Sequence, residues 1–257
     1  LKERDLVFLM RHDSDSFNRW EAAQRYATGL LLGMVETLQA GGTPRKGAGF
    51  AEMVRDVVSA KKADPEFAAQ IVLLPSEQAI AQIIGNDVDV NAIHDAREIL
   101  RASIATDAKD VLLDCYNRME VKARYSPDAE QAGRRALRNA CLAYLAVAPG
   151  GDGVALAAEQ FRRADNMTDK IAALTVLSNI DCKEREEALA AFHDQWKGDH
   201  LVMDKWFTIQ ALSYLPATLT EVKRLTGHPA FTMKNPNKVR ALIGSFANAN
   251  QLRFHEA

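Results

Sequence analysis

Apolar residues recur along this chain three and four residues apart, and almost nowhere do they alternate as a half-buried strand requires. A chain patterned this way buries its apolar surface as helices, so the spacing predicts an all-α fold. Residues 17–40 read as one long helix through Trp20, Ala23, Leu30, Leu31, Met34 and Leu38. Helical spacing then recurs at about 49–61, 65–73, 76–84, 90–122 (with room for one break), 127–147, 153–164, 167–179, 183–197, 200–214, 218–227 and 236–248. Between the first two lies Gly41-Gly42-Thr43-Pro44-Arg45-Lys46-Gly47, a loop about 41–48 expected to be the most flexible segment.

Local chemistry supports these boundaries. Asp64-Pro65, Ser126-Pro127 and Asn235-Pro236 each place a capping side chain before a proline at the first helical position. Asn166-x-x-Asp169 and Asp181-x-x-Glu184 resemble capping boxes, and Gly85 and Gly198 sit where helices should stop. Four stripes mark buried faces: Leu137/Cys141/Tyr144/Leu145, Leu189/Phe192/Trp196, Met203/Trp206/Phe207/Gln210 and Val239/Leu242/Ile243/Phe246. About a dozen helices joined by short links fit an irregular α-solenoid of stacked antiparallel helix pairs, an armadillo/HEAT-like superhelix, as a single helical domain over 1–257. No fixed-period repeat is visible, and a globular helical bundle is the alternative.

The chain has 257 residues, 47% of them apolar and 26% charged, which excludes a disordered or collagen-like chain. The 32 Lys and Arg nearly balance the 34 Asp and Glu, so no basic excess points to nucleic acid. The densest basic patch, Arg134-Arg135 with Arg138, reads as a solvated helix face. Cys115, Cys141 and Cys182 are odd in number and far apart, which argues against a disulfide framework and for a reducing, cytoplasmic compartment. The first two fall on apolar stripes as small buried residues. No leader pattern opens the chain and no apolar run of bilayer length occurs, so no membrane partner is expected. The first residue is not Met, as in a processed chain or an excised piece.

Motif by motif, catalytic chemistry fails to assemble. Neither HExxH, GxGxxG nor GxxxxGK[ST] occurs. His94-Asp95-x-x-Glu98 has the wrong order for a zinc helix, and His193, Asp194, Asp199 and His200 match no zinc spacing. His12-Asp13-Ser14 carries the letters of a triad, but consecutive side chains diverge. Four segments nevertheless mix charges, amides and aromatics more densely than solenoid filler needs: 11–21, 165–169, 203–207 and 235–240. Such mixtures cap helices and pair charges at tight junctions, or they line an interface or a cavity.

These segments carry a resemblance. Arg11-His12-Asp13-Ser14-Asp15 with Phe17-Asn18-Arg19-Trp20-Glu21-Ala22, Leu137-Arg138-Asn139-Ala140-Cys141-Leu142, and Ala164-Asp165-Asn166-Met167-Thr168-Asp169 form its first part. Leu201-Val202-Met203-Asp204-Lys205-Trp206-Phe207, His228-Pro229-Ala230-Phe231, and Asn235-Pro236-Asn237 leading to Arg240-Ala241-Leu242-Ile243-Gly244-Ser245-Phe246 complete it. On these residues the chain resembles the C-terminal helical domain of the bacterial aminopeptidase N family, the gluzincin-type zinc aminopeptidases. The match is tight at 1–25 and 134–257 and loose at 40–125.

The resemblance implies a role without catalysis. The family removes N-terminal residues from peptides with one zinc, and its HExxH and GxMEN motifs lie in a thermolysin-like domain that precedes this one. Neither motif is in this chain, so the resemblance implies no catalytic residue, no metal ligand and no cofactor here, and one zinc in the catalytic domain of the parent protein. It implies as partners that upstream catalytic domain of the same polypeptide and peptide substrates. The helical domain is a bowl that closes over the active site as a substrate-access chamber, and Arg240 matches an arginine facing that chamber. At about 100° per residue, Arg240 sits roughly 110° from the centre of the 239/242/243/246 stripe and points away from the local core. The family continues past residue 257 with further helices, so an exposed apolar patch near the last helix and self-association are expected. The alternative reading is a free-standing α-solenoid scaffold for a protein partner; an unrelated enzyme finds no support in the motifs.

Overall fold

The structure, a computed structural model, describes residues 1–61 and 63–256. Among them helices and short links account for the whole fold, with no strand. The chain divides into two compact units, Leu1–Gly153 and Val154–Ala257.

The first unit holds α1 (Glu3–His12), α2 (Ser16–Gln39), α3 (Ala48–Ser59), α4 (Pro65–Val72), α5 (Glu77–Ile84), α6 (Val90–Asp107), α7 (Lys109–Arg118) and α8 (Ala129–Leu145). Helix α2 turns Ala23, Ala27, Leu31 and Met34 inward, four, four and three residues apart. Fully buried Phe50, Ile71, Ile80, Leu100, Ile104, Leu112 and Leu142 complete the core. Each such side chain stabilises the unit by about 2 kcal/mol on leaving water. The room for a break in 90–122 is used at Ala108, between α6 and α7. The 41–47 loop returns to this core at buried Gly47, where a Cβ would lie 2.3 Å from Leu100 Cδ1 and 2.7 Å from Leu30 Cδ2.

The second unit holds α9 (Gly153–Arg163), whose first residue closes the preceding unit, then α10 (Met167–Ser178), α11 (Lys183–Trp196), α12 (His200–Ala211) and α13 (Thr218–Leu225). It ends with α14 (Pro236–Val239), a π-helical turn at Arg240–Gly244, α15 (Ser245–Ala249) and α16 (Gln251–Phe254). Its centre is Leu174, Phe192, Met203, Phe207 and Leu242. The Nε1–H of buried Trp206 donates to Leu189 O at 3.0 Å and ties α12 to α11. Phe254 is half-exposed and meets Phe246 edge-on at 5.9 Å.

Several expectations need correction. Helix α1 was not anticipated, because Lys2-Glu3-Arg4-Asp5 is charged throughout; Leu6 and Met10 at i, i+4 supply its inner face and the Asp5 carboxylate accepts from Lys2 N. The cap of α8 is Asp128, whose carboxylate accepts from Gln131 N, and not Ser126. The box at Asp181 does not form, since α11 begins after Cys182 without a side-chain cap. The basic patch is not a solvated face. Arg135 is only 4% exposed, with its guanidinium over the Tyr125 ring and donating to Ser126 O, while Arg138 lies 4.4 Å over Tyr116.

These arginines answer a general need. The last four carbonyls of a helix have no intrahelical partner, and here side chains from other elements donate to them. Arg19 donates to Met10 O of α1, Arg118 to Val58 O of α3, and Tyr144 Oη to Val72 O of α4. Arg55 donates to Asp107 O of α6, and Arg101 to Ala143 O of α8. One nitrogen of Arg134 serves both Arg118 O, closing α7, and Glu120 O beyond it, each at 2.9 Å. In the second unit Lys170 donates to Phe161 O, Ser213 Oγ to Ser178 O, and Asn250, 1% exposed, to Ala211 O and Ser213 O. Replacing Arg134 with Met keeps an apolar stem, removes the guanidinium and orphans two part-buried carbonyls. Urea unfolding should then show a loss of about 1–3 kcal/mol; an unchanged midpoint would mean that water replaces the guanidinium.

Candidate functional site

Asn235-Pro236 begins the site. The Asn235 side chain accepts from Asn237 N at 3.0 Å, and Pro236 fills the first helical position. That start fixes the direction of α14 and drives Lys238 into the unit, where it is 4% exposed. Its ammonium donates to His200 O at 2.6 Å and stands 2.7 Å from Asp204 Oδ1, an ionic contact outside hydrogen-bond alignment. The Phe207 ring lies 5.7 Å beneath it. Two of the four dense segments, 203–207 and 235–240, therefore meet around one buried cation.

Two residues on, the backbone widens. Over Arg240–Gly244 it forms a π-helical turn, in which Ser245 N reaches back five residues to Arg240 O. Lys238, Ala241, Leu242 and Phe246 are buried, whereas Val239 and Ile243, expected in the stripe, are only half-buried. Arg240 is exposed, and among the described residues its guanidinium has no ion pair or hydrogen bond.

Beside this lies an aromatic and imidazole cluster whose members no spacing in the sequence joins. The His193 and His228 rings are 5.2 Å apart, edge to face, and Trp206 lies 5.1 and 5.3 Å from them. Phe207 is 5.6 Å from His228. His228 Nδ1 accepts from Ala230 N at 3.1 Å, so the neutral ring is the one that fits. Burial first, then His193, then Arg224 hold its pKa below the usual imidazole value. Nothing in the spacing signalled this pair, because 35 residues separate two histidines that only the packing of α11 and α12 against the 228–231 turn brings together.

The other candidates resolve as structure. Asp15 caps α2 by accepting from Asn18 N, Asp13 accepts from Asp15 N, and His12 lies 4.9 Å from Phe8, so no triad forms. Arg11 pairs with Glu52 and Asp56. Asn166 caps α10 and reaches Asp169 with its amide, as the expected box required in part. Asp199 caps α12 through Leu201 N and Val202 N. Among the described residues no group of three or more His, Cys, Asp or Glu could hold a metal ion. Cys115 and Cys141 are buried free thiols, and a hydrogen bond to Cys115 together with burial pushes the Cys141 pKa far up.

Two outcomes follow from this geometry. Asp204→Asn leaves the Lys238 charge buried without its counter-ion, and unfolding should show a loss of about 3–5 kcal/mol, largely recovered in Asp204→Leu/Lys238→Met. A loss under about 1 kcal/mol would remove the pair from the stabilising interactions. For His228, a lowered folded pKa means that the unfolded chain binds the proton more readily. Its contribution is whole above the ordinary value of 6.5 and is lost as pH falls through and below it. Melting temperature followed from pH 8 to 5 should therefore fall less in His228→Asn than in the parent chain; equal slopes would contradict this.

Comparison with known proteins places these features in a family. Residues 3–257 match the family model described as a domain of unknown function (DUF3458_C) with ARM repeats. The chain is 39% identical over 253 residues to aminopeptidase N of Caulobacter vibrioides and 38% identical over 255 residues to aminopeptidase N of Escherichia coli. Each alignment covers 98% of this chain but only 29% of the relative. The crystal structure of Legionella pneumophila aminopeptidase A in complex with aspartic acid is similar with a TM-score of 0.83 at 28% identity, over 96% of this chain and 29% of that one. The all-α fold expected from the spacing is thus the ARM-repeat fold, and the chain belongs to the family of ARM-repeat domains that aminopeptidase N proteins carry at their C-terminal end.

Proposed function

We propose that this domain is the non-catalytic C-terminal part of a zinc-dependent aminopeptidase N, that it covers the active site, and that it forms the chamber through which peptides reach it. The zinc and the chemistry belong to the upstream catalytic domain of the same polypeptide; this sequence holds no HExxH, and the described residues hold no group of three metal donors. Its physical task is selection. A wall of packed helices limits which substrates enter, and a free cation draws in the negative end of a peptide. Three free thiols, two of them side by side in the core, support a cytoplasmic location.

The observation that carries the reading is the state of Arg240. In this unit Arg162, Arg163, Arg185, Arg224 and Arg253 each meet a carboxylate or a carbonyl, while Arg240 stands outward on a wide turn with its five donors unused among the described residues. A guanidinium presents those donors in a fixed fork that suits a carboxylate or a polarised carbonyl. Two assays test this. The isolated domain should release no alanine from a chromogenic alanyl amide; zinc-dependent release by a clean preparation would end the proposal. In the full-length enzyme, Arg240→Ala should raise KM for peptides about tenfold, the equivalent of one lost charge-assisted hydrogen bond, and leave the small amide unchanged. Equal effects on both substrates would count against a chamber role.

A further inference from the structure

A π-helical turn is a costly conformation, because widening the backbone releases carbonyls from their usual partners. At Arg240–Gly244 two hydroxyls donate to carbonyls of the turn. Ser245 Oγ donates to Arg240 O at 3.1 Å, joining Ser245 N on the same acceptor. Thr208 Oγ1, from α12, donates to Ala241 O at 3.0 Å. The first contact is local to the turn, whereas the second crosses from a neighbouring helix 33 residues away in sequence. The turn is also fixed at its entrance, where Lys238 is bound to His200 O and Asp204. Beyond the turn Phe246 is buried, which seats the next helix. The one side chain in this stretch that leaves the unit as a free cation is Arg240, at the first position of the wide turn.

We propose that Thr208 and Ser245 are positioning residues for Arg240: their hydroxyls hold the carbonyls of the wide turn and so set the direction in which the guanidinium leaves the helix. This rests on the chamber role of Arg240 given above. Without the hydroxyls the turn relaxes toward ordinary α-helical hydrogen bonding, which rotates the residues around it. The arginine keeps its charge but no longer presents its fork along the same line.

The test is a double-mutant cycle in the full-length enzyme, with KM and kcat measured for a peptide and for a small alanyl amide. Thr208→Val keeps the shape of the side chain and removes the donor. It should raise peptide KM about fivefold, as expected for one lost hydrogen bond, with kcat for the amide unchanged. Thr208→Ser keeps the hydroxyl and should behave as the parent. The decisive variant is Arg240→Ala/Thr208→Val, which should be no worse for peptides than Arg240→Ala alone, since Thr208 acts only through Arg240. Ser245→Ala, a good helix former, should shift peptide KM in the same direction and serves if Thr208→Val folds poorly. If Arg240→Ala raises peptide KM while Thr208→Val and Ser245→Ala do not, the positioning role is overturned and the chamber role stands. Additive effects of Arg240→Ala and Thr208→Val overturn it equally, because they show a merely structural threonine. If Arg240→Ala itself leaves peptide KM unchanged, the chamber role falls and the positioning role falls with it.

Discussion

A fold made of short helices has many helix ends, and every C-terminal end leaves carbonyls without an intrahelical donor. Burying such an end without a partner costs about as much as a lost hydrogen bond, so a stack of helices is stable only where something donates to each end. In this chain long cationic side chains, a tyrosine, a serine and an asparagine do so. Arg118, Arg134, Arg55 and Arg101 close ends in the first unit, and Lys170, Asn250 and Ser213 close ends in the second. Arginine suits the role because its stem packs on apolar surface while its fork reaches two carbonyls at once, as Arg134 does. Much of the positive charge in the sequence is therefore structural.

Seen this way, two cations two residues apart in one short stretch take opposite roles. Lys238 is turned inward by the Asn235-Pro236 start and is bound by a carbonyl, a carboxylate and a ring. Arg240 follows it on a backbone that widens and leaves its guanidinium exposed. The buried lysine fixes the position of the stretch, and the wide turn sets its direction. A rigid base under a free cation is the arrangement a recognition group needs, because little ordering remains to be done when a ligand arrives.

Much of this was legible in the residues. Twelve helical stretches could be read from spacing alone, because an amphipathic helix repeats its apolar side every three or four positions whatever it packs against. Asp64, Asn166 and Asn235 were recognisable as caps, since capping joins residues two or three apart. The charged start of α1 hid a helix whose inner face has few residues. The Arg134–Arg138 stretch looked solvated because a sequence shows that a residue is charged, and not that a carbonyl of another helix waits beside it. The Arg240 position and its outward direction were available from the family resemblance and from helical phase. The wide turn at which it sits was not, as a π-turn is signalled by no residue type in Arg-Ala-Leu-Ile-Gly.

By itself, then, the sequence determined an all-α chain, the order and length of most helices, many of their caps and the absence of an HExxH motif, all of which depend on neighbours within one or two turns. Tertiary structure decided which cations seal carbonyls, that Lys238 meets Asp204, that His193 meets His228, and that Thr208 reaches across to the Arg240 turn. The reason is range. Caps and stripes are short-range relations that a linear pattern records, whereas these contacts join residues 9 to 60 positions apart and exist only once the helices that carry them have packed.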